Sequence, residues 1–129
     1  MSKETIAIAS DHAGFALKST LIEELNTLGF EVLDLGPFDT NSVDYPDYGH
    51  AMGDAIASGK AKRGVLICGS GIGISIAANR NPAVRAALCA NGLMARLSRQ
   101  HNDANVLALG ERLTGCLLYT SDAADESCS

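Results

Sequence analysis

Five short apolar runs are separated by segments of helical period along this 129-residue chain, and few architectures accept that order. The runs are Ile6–Ser10, Phe30–Gly36, Gly64–Cys68, Arg85–Cys89 and Asn105–Leu109. Between them Leu21, Ile22, Leu25 and Leu28 recur at helical spacing before a Gly29 stop, and Tyr48–Ser58, Ile72–Asn79 and Gly92–Arg99 read as further helices. Strands alternating with helices through short links predict a parallel sheet covered on both faces. Right-handed crossovers then give an α/β fold, a doubly wound three-layer α/β/α sandwich with a five-stranded parallel sheet of Rossmann-like design. Residues 1–115 read as a single domain, a length that buries one core.

Two segments depart from that rhythm. Pro37–Asp47, "PFDTNSVDYPD", is polar and turn-rich, longer than the roughly 2–6 residues usual in such units. Residues 116–129 lack a clear period and carry no Lys or Arg, so they read as an atypical tail foreign to the domain. A net charge of −5 without a basic block argues against nucleic acid or an anionic membrane as partner. No apolar run approaches the ~20 residues of a membrane span, and the amino terminus lacks a signal-peptide core. Irregularly spaced Cys68, Cys89, Cys116 and Cys128 favour reduced thiols and a cytoplasmic location. No clustered Cys/His pattern predicts a metal site.

In open α/β sheets ligands bind beyond the carboxyl ends of the strands. The groups expected there are Asp11 and His12 after strand one, Tyr45 in the loop after strand two, Cys68–Gly73 after strand three and Arg112 after strand five. The strongest signal is "VLICGSGIGIS", where a buried run ends in Cys68 and Gly69, Gly71 and Gly73 alternate through the following turn. Glycines admit positive φ and close ligand approach, and successive N–H groups at a helix start form an anion nest. A Walker loop, a dinucleotide fingerprint and a Cys…Arg phosphatase loop all fail on spacing, the last two at Ile74. Helix N-termini lower a thiol pKa, so Cys68 can serve as nucleophile or base, or it can be an inert cysteine in a tight turn. Cys89 reads as core and His50 as a surface helix residue. Asp11 is a helix N-cap, and His101 lies in a polar turn before strand five.

Taken together, "ASDHAG", "DYPDYG", "CGSGIGISIAANR" and "LSRQHNDANVLALGER" resemble type B ribose-5-phosphate isomerases, over about residues 4–115. The resemblance implies a pentose phosphate pathway enzyme that interconverts ribose 5-phosphate and ribulose 5-phosphate through a cis-enediolate, without a metal or cofactor. It implies that Cys68 is the general base, in the cysteine branch of the family, since Ile72–Ile74 hold no carboxylate. Ser70 would handle protons on the substrate oxygens, and Gly69, Gly71 and Gly73 would hold the enediolate. His101, assisted by Asp11, would open the furanose ring. Asn102 and Tyr45 would bind the sugar, and His12 and Arg112 the phosphate. Because His101 precedes strand five and Cys68 ends strand three, both act on one sugar only if a dimer shares its sites. The family is associated with homodimers, which can pair into tetramers. The family normally continues into a basic carboxyl-terminal segment, so 116–129 reads as a truncated or non-native end with weakened phosphate binding. The alternatives are a galactose or allose 6-phosphate isomerase, a sugar-phosphate-binding domain without turnover, and, more remotely, redox sensing by Cys68.

Overall fold

The computed structural model describes residues 3–38 and 44–112. Strand β1 (Thr5–Ser10) leads through a single 3₁₀ turn (His12–Gly14) into α1 (Phe15–Thr27), followed by β2 (Glu31–Asp34), α2 (Tyr45–Ala57), β3 (Arg63–Cys68), α3 (Ile72–Asn79), β4 (Ala86–Leu88), α4 (Gly92–Asn102) and β5 (Val106–Gly110). All strands are parallel, in the order β2-β1-β3-β5-β4. This is the doubly wound sandwich that the alternation implies. No helix among the described residues is long and apolar enough to cross a membrane.

Strand side chains alternate between faces, and the core divides accordingly. Ala7, Ala9, Leu66 and Cys68 face Met52 and Ala55 of α2 and Ile74 and Ala78 of α3. Ile8 and Ile67 face the other way, onto Leu17 of α1. Leu25 of α1 and Ala95 and Ser98 of α4 line one cleft of about 260 Å³ over Ile6, Val65 and Leu107, which places α4 in the layer of α1. Helices α2 and α3 approach closely because α2 carries glycine at the contact: a Cβ on Gly49 would lie 2.7 Å from Cβ of Ala77 and 3.2 Å from the Ile74 carbonyl oxygen. Gly29, at φ 94°, closes α1 in the left-handed conformation that a side chain disfavours.

Several element ends depart from the sequence reading. Helix α2 begins at Tyr45, not Tyr48, because Pro46 occupies its first turn, where a missing N–H costs nothing. Tyr45 is therefore a helix residue rather than a loop residue. Helix α4 runs on to Asn102, so His101 lies in its last turn and not in a turn preceding β5. That helix buries no residue, so its polar end offered no burial pattern to read. Strands β2 and β4 are shorter than expected, ending at Asp34 and Leu88. The expectations for 116–129, and for residues 39–43 of the long connection, lie outside the described residues.

Candidate active site

The parallel register brings the strand ends together. Ser10 pairs with Ile67, and Cys68 with Gly110. Beyond β1, the Asp11 N–H donates to the Ile67 carbonyl at 3.0 Å, extending the ladder by one residue. Oδ1 of Asp11 accepts from the Gly14 N–H at 3.0 Å, so Asp11 caps the 3₁₀ turn rather than α1 itself. A Cβ on Gly14 would lie 2.7 Å from Cγ2 of Ile67, and the "DHAG" turn thus lies flat on β3. His12 opens that turn, exposed beside Asp11.

Cys68 is the last residue of β3 and is buried. Its Sγ accepts a hydrogen bond from the Gly71 N–H at 3.1 Å. Gly71 sits at φ 80°, and a Cβ there would lie 2.6 Å from Cδ1 of Leu88 and 2.8 Å from the Leu109 carbonyl carbon. Only glycine fits both the backbone and the space. Oγ of Ser70 accepts from the Ile72 N–H at 3.1 Å, capping the start of α3 from an exposed position. Two N–H groups of the expected nest thus already face side chains of the turn itself.

The rest of the turn is bordered on two sides and open on one. A Cβ on Gly110 would lie 2.6 Å from the Ser70 carbonyl oxygen, and the Arg112 N–H donates to the Gly69 carbonyl at 3.2 Å. The end of β5 therefore packs backbone to backbone on the turn, with Arg112 exposed beside it. A Cβ on Gly73 would lie 2.8 Å from Cε1 of Tyr45, so the tyrosine ring lies across Gly73. A Cβ on Gly69 would meet nothing within 4 Å, which leaves that side accessible.

His101 and Asn102 are not part of this cluster. They close α4, exposed, before β5 begins at Val106. Val106 pairs with Gly64 and Gly110 with Cys68. At about 3.3 Å per residue, the length of β5 alone sets the two ends about 13 Å apart. A cleft of about 730 Å³ also lies at that amino end, lined by Lys60, Lys62, Arg63 and Arg99. It holds none of the expected site residues.

Sequence reasoning passed over one charged residue near the site. Lys18 is buried on α1, and its ammonium is bound to Asp34 and to the Pro37 carbonyl. Nothing in the helical pattern marks it, because its partners lie in another element.

Comparison with known proteins assigns the fold. The family model described as Ribose/Galactose Isomerase matches residues 6–121. The chain belongs to the ribose/galactose isomerase family. It is by that membership an enzyme, an isomerase. Ribose-5-phosphate isomerase B of Escherichia coli K12 is 47% identical over 110 residues, covering 85% of this chain and 74% of the relative. The structure of ribose-5-phosphate isomerase B from Clostridium thermocellum superposes with a TM-score of 0.84 at 51% identity, covering 92% of this chain and 81% of the other. That of the Mycoplasma genitalium ribose-5-phosphate isomerase B, with bound ribulose 5-phosphate, gives 0.81 at 43% identity, covering 88% and 76%.

Proposed function

We propose that this family member interconverts ribose 5-phosphate and ribulose 5-phosphate, with Cys68 as the base. The observation that carries the reading is the Gly71 N–H aimed at the Cys68 sulfur beside the open face of Gly69. This contact seats the sulfur as an acceptor at the end of β3, beside the side of the turn that a sugar can reach. The thiolate takes the proton from C2 of the open-chain aldose. The electron pair moves into the C1–C2 bond and the carbonyl oxygen, giving a cis-enediolate. Cys68 then returns the proton to C1, while Ser70 carries a proton between the two oxygens. Of the backbone N–H groups around Gly69–Gly73, those not already held by Cys68 and Ser70 meet the developing oxyanion. Tyr45 and Asn102 hold the sugar, and His12 and Arg112 hold its phosphate.

Ring opening falls to His101 with Asp11, and their separation requires two chains. His101 of one subunit serves Cys68 of the other in a homodimer. An exposed apolar strip supports this arrangement: Ile72, Ile76, Leu88, Leu93, Met94 and Leu97 lie on α3, on the edge strand β4 and on α4. Such a strip on one sheet edge marks an association surface. Mixing Cys68→Ala with His101→Ala chains tests the sharing directly. Random pairing rebuilds about a quarter of the wild-type sites, so activity returns on mixing; no recovery overturns the shared site.

Proton NMR of ribose 5-phosphate in deuterated buffer tests the chemistry. Loss of the C2 proton signal with the wild-type chain, and not with Cys68→Ala, is the expected result. No exchange at saturating sugar, with the chain folded and dimeric, removes the proposal. Running allose 6-phosphate and galactose 6-phosphate in parallel separates pentose from hexose preference.

A further inference from the structure

Lysine is almost never fully buried unless its ammonium is paired. Lys18 is 2% exposed and lies in the α1 layer, on the opposite face of the sheet from the Cys68 side chain. Its Nζ donates to Oδ1 of Asp34 at 2.7 Å and to the Pro37 carbonyl at 2.6 Å. The rings of Phe15 and Phe38 each lie 5.4 Å from the ammonium. Phe38 is 76% exposed, and its place over this cation gives it a partner that water does not.

The contacts converge on the few residues by which the chain leaves β2. Oδ1 of Asp34 also accepts from the Gly36 N–H at 2.9 Å, and the Gly36 carbonyl accepts from the Ser10 N–H at 3.1 Å. Gly36 lies against α2, where a Cβ would sit 3.0 Å from the ring of Tyr48. Tyr48 is one helical turn after Tyr45, the residue whose ring lies across Gly73. A continuous set of contacts therefore runs from the Lys18 ammonium to the border of the glycine turn. Stability alone gives no reason for an ion here, since well-packed apolar residues commonly replace a buried pair without loss.

We propose that Lys18 is a positioning residue for the substrate site: its ammonium fixes the exit of β2, and through Gly36 and Tyr48 this sets where α2 holds Tyr45 over Gly73. The inference rests on the isomerase reading for the role of Tyr45, but its mechanical part has a readout of its own. The variants are Lys18→Met, which keeps the stem and removes the charge, Lys18→Arg, Asp34→Asn, and the double variant Lys18→Met/Asp34→Asn, all in the full chain. In Lys18→Met, amide hydrogen exchange of Tyr48–Ala51 accelerates about tenfold, while β1 and β3 keep their protection. KM for ribose 5-phosphate rises about tenfold with kcat within about twofold, the signature of lost substrate positioning. Asp34→Asn shifts both readouts the same way, the double variant is no worse than Lys18→Met, and Lys18→Arg recovers part of KM.

A folded Lys18→Met with unchanged exchange and unchanged KM overturns the proposal. So does an exchange increase spread evenly through β1 and β3, which marks a purely structural lysine. If Lys18→Met does not fold, Asp34→Asn carries the same test, and the same two results overturn the proposal. A wild-type chain without turnover removes the isomerase reading, and local exchange in α2 then decides the positioning by itself.

Discussion

Cys68 and Cys89 invite comparison. Each is buried, each follows or ends a parallel strand, and each precedes a turn into a helix. What differs is where the next helix sends its free N–H groups. After β3, the Gly71 N–H turns back to the Cys68 sulfur, which acts as acceptor. After β4, Oδ1 of Asn91 takes the Met94 N–H at 2.9 Å and so caps α4 without the thiol. The Cys89 sulfur instead donates to the Ala87 carbonyl at 3.6 Å, and burial pushes its pKa up, with only partial relief from Ser98. The same residue at equivalent places in two strand–turn–helix units thus becomes an acceptor in one and a protonated core thiol in the other. Both helices have a side-chain cap, Ser70 on α3 and Asn91 on α4, and what differs is the additional Gly71 N–H that reaches the Cys68 sulfur.

The largest expected effect tests that contrast outright. Removing a positioned base costs about 10²–10⁴-fold, so Cys68→Ala loses C2 exchange on that scale while Cys89→Ala stays within about twofold of wild type. Equal losses would erase the distinction. Next comes Gly71→Ala, which adds a Cβ to left-handed backbone with heavy atoms of Leu88, Leu109 and Gly110 within 2.9 Å. The strain of about 1–3 kcal/mol must be relieved by moving the N–H off the sulfur. The variant loses about tenfold or more in exchange rate and is less stable in urea titration; a variant stable and active as wild type would show that the contact is incidental.

The Cys89 side sharpens with pH. Its folded pKa lies above the unfolded one, so the thiol's contribution to stability is complete below about 9 and declines as pH rises toward the folded value. Wild-type unfolding free energy therefore falls more steeply above pH 9 than that of Cys89→Ala, as chemical denaturation at stepped pH would reveal. The smallest effect lies outside both thiols. The Arg63 guanidinium binds both carboxylate oxygens of Glu4 and holds that carboxyl below its ordinary pKa. The pair is half exposed, so Glu4→Gln costs no more than about 1 kcal/mol at neutral pH. That difference persists above pH 4.5 and disappears as acid titrates Glu4 through its lowered pKa.

The order of strands and helices was legible because buried strands and half-buried helices impose their periods on the sequence. The Cys68–Gly73 turn was legible because its chemistry is contiguous in the chain. The remoteness of His101 also followed from chain order, since a residue just before a parallel strand lies at its amino end. Contacts between elements were not legible. Nothing adjacent to Tyr45 announces Gly73 as the surface it covers, and nothing beside Lys18 announces Asp34. Pro46 read as a loop residue and Asn102 as a turn, although one starts a helix and the other ends one. Local composition carries no account of which end of a helix a proline or a polar residue occupies.

The close approach of α2 to α3 at Gly49 reaches further than packing. Tyr45 heads one of these helices and Gly73 lies in the first turn of the other. Gly49 is seated on Ala77 one turn along the helices from Tyr45 and Gly73, so this contact sets how far apart the two helix starts lie. The fit of the Tyr45 ring on Gly73 is thus set at a distance, by the bulk of residues one turn away. A methyl group added at Gly49 meets the Ala78 backbone and the Ile74 carbonyl as well as Ala77, so it pushes the two helices apart and disturbs the seat of the Tyr45 ring on Gly73.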